Sequence, residues 1–197
     1  PLGSRSMALH ALVGDRVWLI DTGVATTPGE HLLPAIRRAG VDFDRIAGAV
    51  ITHCDSDHCG GNAELRRLLP HVTLIAHHAD ARLMQDPDRC LQERYSFAEY
   101  QIAPPPATSR RIRAALGNAA TVDLQVDDTG CELSVSPSRR FKILHAPGHT
   151  AGHVIVHDLE HSVVVLTDAV LGAFIPDAAG RPLIAPTYRH LNAYVKT

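Results

Sequence analysis

A chain of 197 residues, 45% hydrophobic and with a formal charge of -2, is long enough for one domain with a sizeable core. A pI near 6.7 excludes the broad basic face of a nucleic-acid binder, so no nucleic-acid partner is expected. No apolar run approaches the roughly 18 residues of a membrane-spanning helix; no membrane partner and no signal sequence are expected, and the cytoplasm is the expected compartment.

The first six residues, Pro1 to Ser6, read as the remnant of a cleaved expression tag, so residues 7–197 are expected to form a single domain. Ala8 to Val13 and Arg16 to Asp21 are apolar runs separated by Gly14-Asp15, the signature of a hairpin. Pro28-Gly29 opens a helix that runs to about Arg38, with Leu32, Leu33 and Ile36 on one side and Gly40 closing it. Ile46 to Thr52 reads as a strand feeding directly into His53-Cys54-Asp55-Ser56-Asp57-His58. Asn62 to Leu69 then reads as a helix stopped by Pro70, and Val72 to Ala76 as a buried strand, so the chain is of the α/β class. From about residue 80 to 117 the pattern is helical but polar, with Pro104-Pro105-Pro106 as a rigid elbow: a helical insertion placed to cover a site. Phe141 to His145, Val154 to His157 and Ser162 to Thr167 read as three further strands. Cys54, Cys59, Cys90 and Cys131 form no CxxC pair and read as free thiols of a reducing compartment.

Metal ligands must cluster within about 2 Å of the ion in a deprotonated or neutral form, which favours His and Asp on short constrained loops. His53, Asp55, Asp57 and His58 meet this requirement at a strand end. Alternate residues of an extended loop point to opposite sides, so His53 and Asp55 are expected to face one ion while Asp57 and His58 face another. Gly60 and Gly61 behind them admit a helix without a Cβ crowding the ions. A calcium loop would need an acid or amide where Cys59 stands. A phosphatase nucleophile built on Asp55 and Asp57 would leave His53 and His58 idle and also meets Cys59.

Asp21-Thr22-Gly23, Thr52-His53-Cys54-Asp55-Ser56-Asp57-His58, Pro147-Gly148-His149-Thr150 and Thr167-Asp168-Ala169 follow one another in an order that resembles the metallo-β-lactamase superfamily. The resemblance implies an α/β fold of four αββα layers, with metals in a cleft at one edge of the two sheets. It implies that His53 and His149 hold a first ion, Asp57 and His58 a second, and that Asp168 bridges them. Asp55 departs from the commoner pattern, which has His there; as a harder ligand of the first ion it keeps zinc as the expected metal and makes iron or manganese compatible. The family's further His for the second ion is missing before Thr197, so the second zinc site is expected to be weak or empty and the chain to be trimmed at one or both ends. His190 or a side chain of a neighbouring chain is a conceivable stand-in, and His190 otherwise reads as a surface residue near a helix start.

The other histidines read as structural. His145, His149 and His153 recur every four residues, but Pro147-Gly148 prevents one helix from presenting them together, and only His149 keeps a ligand role. His153 resembles a structural His of the family, while His77, His78, His157 and His161 read as loop or strand-end residues. Asp21 reads as a carboxylate that fixes the tautomer of a ligand imidazole. Arg94, Tyr95, Tyr100 and Tyr188 are the candidate pocket contacts, Tyr188 the one assigned to substrate.

Two ions 3.5 to 4 Å apart supply hydroxide near neutral pH and polarise a carbonyl, so the implied activity is hydrolysis of a small-molecule ester, lactone or thioester, with Asp57 orienting the nucleophile and receiving its proton. The rival readings are a catalytically silent metal-binding regulatory domain and a mononuclear iron dioxygenase of the persulfide dioxygenase kind on the same scaffold. A dimer is compatible with the sequence.

Overall fold

The computed structural model describes residues 6–97 and 100–197. Residues 1–5 of the tag-like segment, and residues 98 and 99 of the helical insertion, lie outside the described residues.

The expected hairpin forms from β1 (His10–Val13) and β2 (Val17–Ile20), paired antiparallel across the Gly14-Asp15 turn. Strands β3 (Ile46–Val50), β4 (Thr73–His77) and β5 (Leu124–Val126) add to β2 in parallel, giving a five-stranded sheet in chain order. Parallel neighbours need crossovers. These are a π-helical stretch (Pro28–Leu32) running into α1 (Leu33–Arg38), then α2 (Ser56–Cys59) with α3 (Asn62–Leu68), then the insertion. The insertion consists of α4 (His78–Met84), α5 (Pro87–Glu93) and α6 (Pro106–Leu116), the last starting at the proline elbow.

The second sheet is an antiparallel meander of β6 (Cys131–Ser134), β7 (Arg140–His145), β8 (Val154–Asp158) and β9 (Val163–Val165). Two short strands, β10 (Ile175–Pro176) and β11 (Pro182–Ile184), form a ribbon beyond it, and α7 (Leu191–Tyr194) ends the chain.

Two apolar cores define the layers. One joins the helices to the first sheet through residues such as Leu19, Ile51, Leu65 and Leu74. The other lies between the sheets, where Trp18, Ile20, Val50 and Ile75 meet Phe141, Ile143, Val154 and Val156. Burial of each such side chain contributes roughly 1.5–3 kcal/mol. Trp18 packs edge-on against Phe141 at 5.9 Å and gives its indole N–H to Ser134 O at 3.1 Å, so its polar atom is satisfied inside the sandwich. On the outer face of the second sheet Leu144, Ile155 and His157 are half-buried and Lys142 exposed, and no α-helix among the described residues packs extensively there. No helix among the described residues is long and apolar enough to cross a membrane.

Parallel strands bring their C-terminal ends to one edge. Asp21 follows β2, the His53–His58 run follows β3 and His77 ends β4. The second sheet meets this edge where Val154 N donates to Thr52 O at 2.8 Å.

Candidate metal centre

Asp21 has a φ of 64°, a backbone conformation uncommon for a non-glycine residue. It lies buried under the β3 loop, where its carboxylate accepts from Thr52 N at 2.7 Å, from Thr52 Oγ1 at 2.9 Å and from His58 Nδ1 at 2.8 Å. The Thr52 hydroxyl has given its proton to Asp21, so it accepts from His53 Nδ1–H at 3.1 Å. His149 Nδ1–H donates to Thr187 O at 2.6 Å. In all three imidazoles Nδ1 is engaged, and Nε2 is left as the atom that faces inward.

Those Nε2 atoms meet two carboxylates. His149 Nε2 lies 2.9 Å from Asp55 Oδ2 and 3.5 Å from Asp168 Oδ2. His53 Nε2 lies 3.5 Å from Asp55 Oδ2 and 3.9 Å from Asp168 Oδ2, and His58 Nε2 lies 3.7 Å from Asp168 Oδ1. His53 Nε2 is buried without a hydrogen-bond partner. Imidazole nitrogens gathered around carboxylates at such distances have the spacing of donors around a shared cation, and the ligand atoms of His53, Asp55, His149 and Asp168 all fall within 4.8 Å of one another. The donor set therefore fits a divalent ion.

Charge follows the same logic. Burial pulls His58 down, but the carboxylates of Asp21, Asp57 and Asp168 outweigh it and push it up to about 10, so without a metal a proton occupies part of the cationic place. Burial, then the neighbouring His58, holds His53 well below the usual imidazole range. Burial raises Asp168, against the pull of His58 and His149.

Residues 6–195 match the metallo-beta-lactamase superfamily. The chain belongs to that superfamily. Among curated relatives, the acyl-coenzyme A thioesterase MBLAC2 of Bos taurus is 27% identical over 180 residues, covering 82% of this chain and 60% of its own length. Its Homo sapiens counterpart is 25% identical over 176 residues with the same coverage. The chain thus spans about 60% of the length of these relatives. Among solved structures, a metallo-beta-lactamase family protein from Thermus thermophilus superposes with a TM-score of 0.66 at 20% identity, covering 95% of this chain and 62% of that one. A class B3 di-zinc metallo-beta-lactamase from an Alaskan soil metagenome gives 0.59 at 19% identity, covering 77% of this chain and 50% of that one. These superpositions establish the metallo-β-lactamase fold.

The superfamily loop does not run extended through Asp57 and His58, as the alternation argument expected. Asp55 sits at the start of a helical turn, α2, which carries both residues. Asp57 lines a cleft of about 270 Å³ with His58 and Asp168, and lies outside the tight four-residue cluster. Gly60 and Gly61 serve a different contact from the one expected: a Cβ on Gly60 would meet Ala115 O at 2.0 Å, and one on Gly61 would meet Thr22 O at 2.4 Å. They let α6 and the Asp21 loop approach α2. His190 is exposed at the start of α7, tied by its backbone to Gly148 O, and is absent from the cluster. Tyr188 places its ring centroid 6.3 Å from that of His149, and its hydroxyl accepts from Leu171 N at 3.0 Å.

His153 is fully buried, stacks on His53 at 4.9 Å and bonds Thr167 Oγ1 at 3.1 Å. Burial, then His149 and His58, pushes it down to about 3, so it is neutral. Thr167, at a φ of 43°, sets the turn that presents Asp168.

Asp80, which no signal in the sequence singles out, joins the loop of His53 to the loop of His149. Its buried carboxylate accepts from Cys54 N at 3.0 Å on one loop, and from Thr150 Oγ1 at 2.6 Å and Gly152 N at 2.8 Å on the other. An Asp in the first turn of a helix looks like ordinary capping in sequence, so nothing local marked it. The free thiols Cys54, Cys59 and Cys90 are buried beside these loops; burial raises Cys59 well above the usual thiol range.

Proposed function

We propose that this metallo-beta-lactamase superfamily protein is a metal-dependent hydrolase of small-molecule thioesters, within the wider ester and lactone class. The observation that carries it is the set of imidazole nitrogens facing Asp55 and Asp168, with His53 Nε2 unpartnered among them. In this reading His53, Asp55, His149 and Asp168 hold a first ion, and His58 and Asp57 hold a weaker second one with a share of Asp168. Zinc suits two or three imidazoles with carboxylates. A bound ion would lower the pKa of a water and polarise the acyl carbonyl.

The protein's own groups orient and move protons. Asp21, Thr52 and Thr187 O hold each ligand imidazole in one tautomer. Asp57, in the cleft wall, takes the proton of the attacking water as the new C–O bond forms. The C–S bond then breaks, and the proton passes to the departing thiolate. Met7, Leu171 and Ile175 give the same cleft an apolar wall suited to an acyl chain. The thioester preference draws on the names of the curated relatives.

The test is thiol release from acyl-coenzyme A substrates by protein stripped of metal and reloaded with Zn²⁺, Mn²⁺ or Fe²⁺. Hydrolysis is expected to return with zinc and to be absent from the folded Asp168→Ala variant. No hydrolysis of thioesters, esters or lactones with any of the three metals would sink the reading.

A further inference from the structure

A second group of metal-capable side chains lies at the same edge of the sandwich, outside the centre described above. His77 ends β4 in the first sheet, His145 ends β7 in the second, and Asp128 sits on the turn between β5 and β6. His77 Nε2 is 3.1 Å from Asp128 Oδ1, and His145 Nδ1 is 3.3 Å from the same oxygen. The two rings are stacked at 4.0 Å and 11°. One ligand atom from each residue falls within 4.8 Å of the others.

Hydrogen-bond partners fix the proton positions. His145 Nε2 donates to Ala151 O at 2.9 Å, which leaves a lone pair on Nδ1. Nδ1 lies 3.3 Å from the Asp128 carboxylate oxygen with no hydrogen bond between them, so two acceptors sit side by side unless a cation lies between them. Ala79 N donates to His77 Nδ1 at 3.2 Å, so the His77 proton sits on Nε2 and goes to Asp128. A metal at Nε2 would send that proton to Nδ1, at the loss of the bond that caps α4. The His77 side chain is 1% exposed while Asp128 is 76% exposed, so the site has a rigid floor and an open side through which an ion and its waters enter.

We propose that His77, Asp128 and His145 form a second, independent cation site that takes Zn²⁺ or a similar borderline divalent ion, with solvent completing the coordination, and that staples the two sheets beside the ligand loops. Two imidazole nitrogens and one carboxylate suit zinc and disfavour magnesium or calcium, which take oxygen ligands. The site does not rest on the proposed hydrolase activity.

The experiment is equilibrium dialysis of the full chain, stripped with chelator, against Zn²⁺ alone, with bound metal counted in wild type, Asp128→Asn and His145→Gln. Asp128 is exposed on a turn, so its variant is expected to fold as wild type does; melting of each apo protein checks this. Both variants are expected to lose one equivalent of zinc, or to bind that equivalent at least about tenfold more weakly. Both should also keep the thermal stabilisation that zinc gives through the other centre. Zinc counts and affinities equal to wild type in both variants would overturn the site. A loss confined to one variant would overturn the three-residue arrangement. Failure of the hydrolase reading would appear as absent turnover and would leave the difference in zinc count unchanged.

Discussion

The guanidinium of Arg94 straddles Asp55, with Nε 2.5 Å from one carboxylate oxygen and Nη2 2.8 Å from the other, and the same Nη2 lies 3.0 Å from His149 Nε2. A fixed cation from the end of α5 therefore touches two of the residues assigned to the first ion. It holds Asp55 well below the usual carboxylate range, against the burial that would raise it. The helical insertion thus reaches the metal centre with a charged side chain.

Arg94→Met should separate two consequences of that contact. Removing one partner of a buried ion pair costs about 3–5 kcal/mol, so the metal-free protein should melt lower. The guanidinium is a like charge beside the place a cation would take, and two unit charges 4 Å apart at an effective dielectric near 20 interact by about 4 kcal/mol. The variant should therefore bind zinc more tightly, by about tenfold once solvent screening reduces that figure. Zinc titration of both proteins checks this; weaker zinc binding in Arg94→Met would mean that the guanidinium supports the ion rather than opposing it.

Asp168→Ala is expected to abolish zinc-dependent turnover, because Asp168 offers oxygens within 4 Å of the Nε2 atoms of His53, His58 and His149. His153→Ala acts one step away, through the stack on His53 and the bond to Thr167. It should destabilise the fold by about 2–4 kcal/mol, as for other buried large-to-small changes, and leave most activity per bound metal. Activity normalised to metal content is the readout, and equal losses in the two variants would show the two roles to be misassigned.

The fold was legible where local signals were strong. The hairpin, the helix after Pro28, and strands β3, β4, β7, β8 and β9 lie within a residue or two of their expected positions, because apolar runs bounded by Gly or Pro specify them. Strands β5, β6, β10 and β11 carry no such signal: each is four residues or fewer and at least partly exposed, so no apolar run marks it. At the site, His53 and Asp55 stood out through their density in sequence. The convergence of Asp80 on two loops, and of His77 with His145, depends on pairing between distant strands; the sequence marks His77 only as a loop or strand-end residue and gives His145 no ligand role. The reading of the 145, 149, 153 spacing as non-helical holds, yet His145 still has metal-capable partners, supplied by the other sheet.

Asp80→Ala should weaken metal binding without touching a ligand. Its carboxylate holds Cys54 N beside His53, and Thr150 and Gly152 beside His149. Supporting residues of this kind typically cost 10–100-fold in metal affinity when removed. Three donors left unsatisfied in a buried place should also cost about 3 kcal/mol of stability. Asp80→Asn keeps one carbonyl acceptor and should fall between wild type and alanine on both measures. A purely structural role would show itself as lost stability with unchanged zinc affinity in the folded fraction.

Asp158 supplies a pH dependence that the metal centre does not enter. At the end of β8 its buried carboxylate accepts from Arg139 Nε at 3.2 Å and from Arg139 Nη2, from Glu160 N at 3.1 Å and from His161 Nδ1 at 3.1 Å. Arg139 in turn donates to Val13 O at 2.8 Å, so the cluster ties the second sheet to the first. The Arg139 guanidinium, working against burial and aided by His161, lowers the Asp158 carboxyl to about 2 from an ordinary 3.8. A carboxylate with a depressed folded-state pKa stabilises the fold fully above its unfolded value and loses that contribution as pH falls through the folded one. Asp158→Asn should therefore be less stable than wild type at pH 7. The gap should begin to close below about pH 4 and be largely gone near pH 2. Urea unfolding of the two metal-free proteins at pH 7, 4 and 2.5 measures it. A gap that stays constant across that range would mean that Asp158 contributes through neutral hydrogen bonds, and that its charge on Arg139 adds nothing to the joint between the sheets.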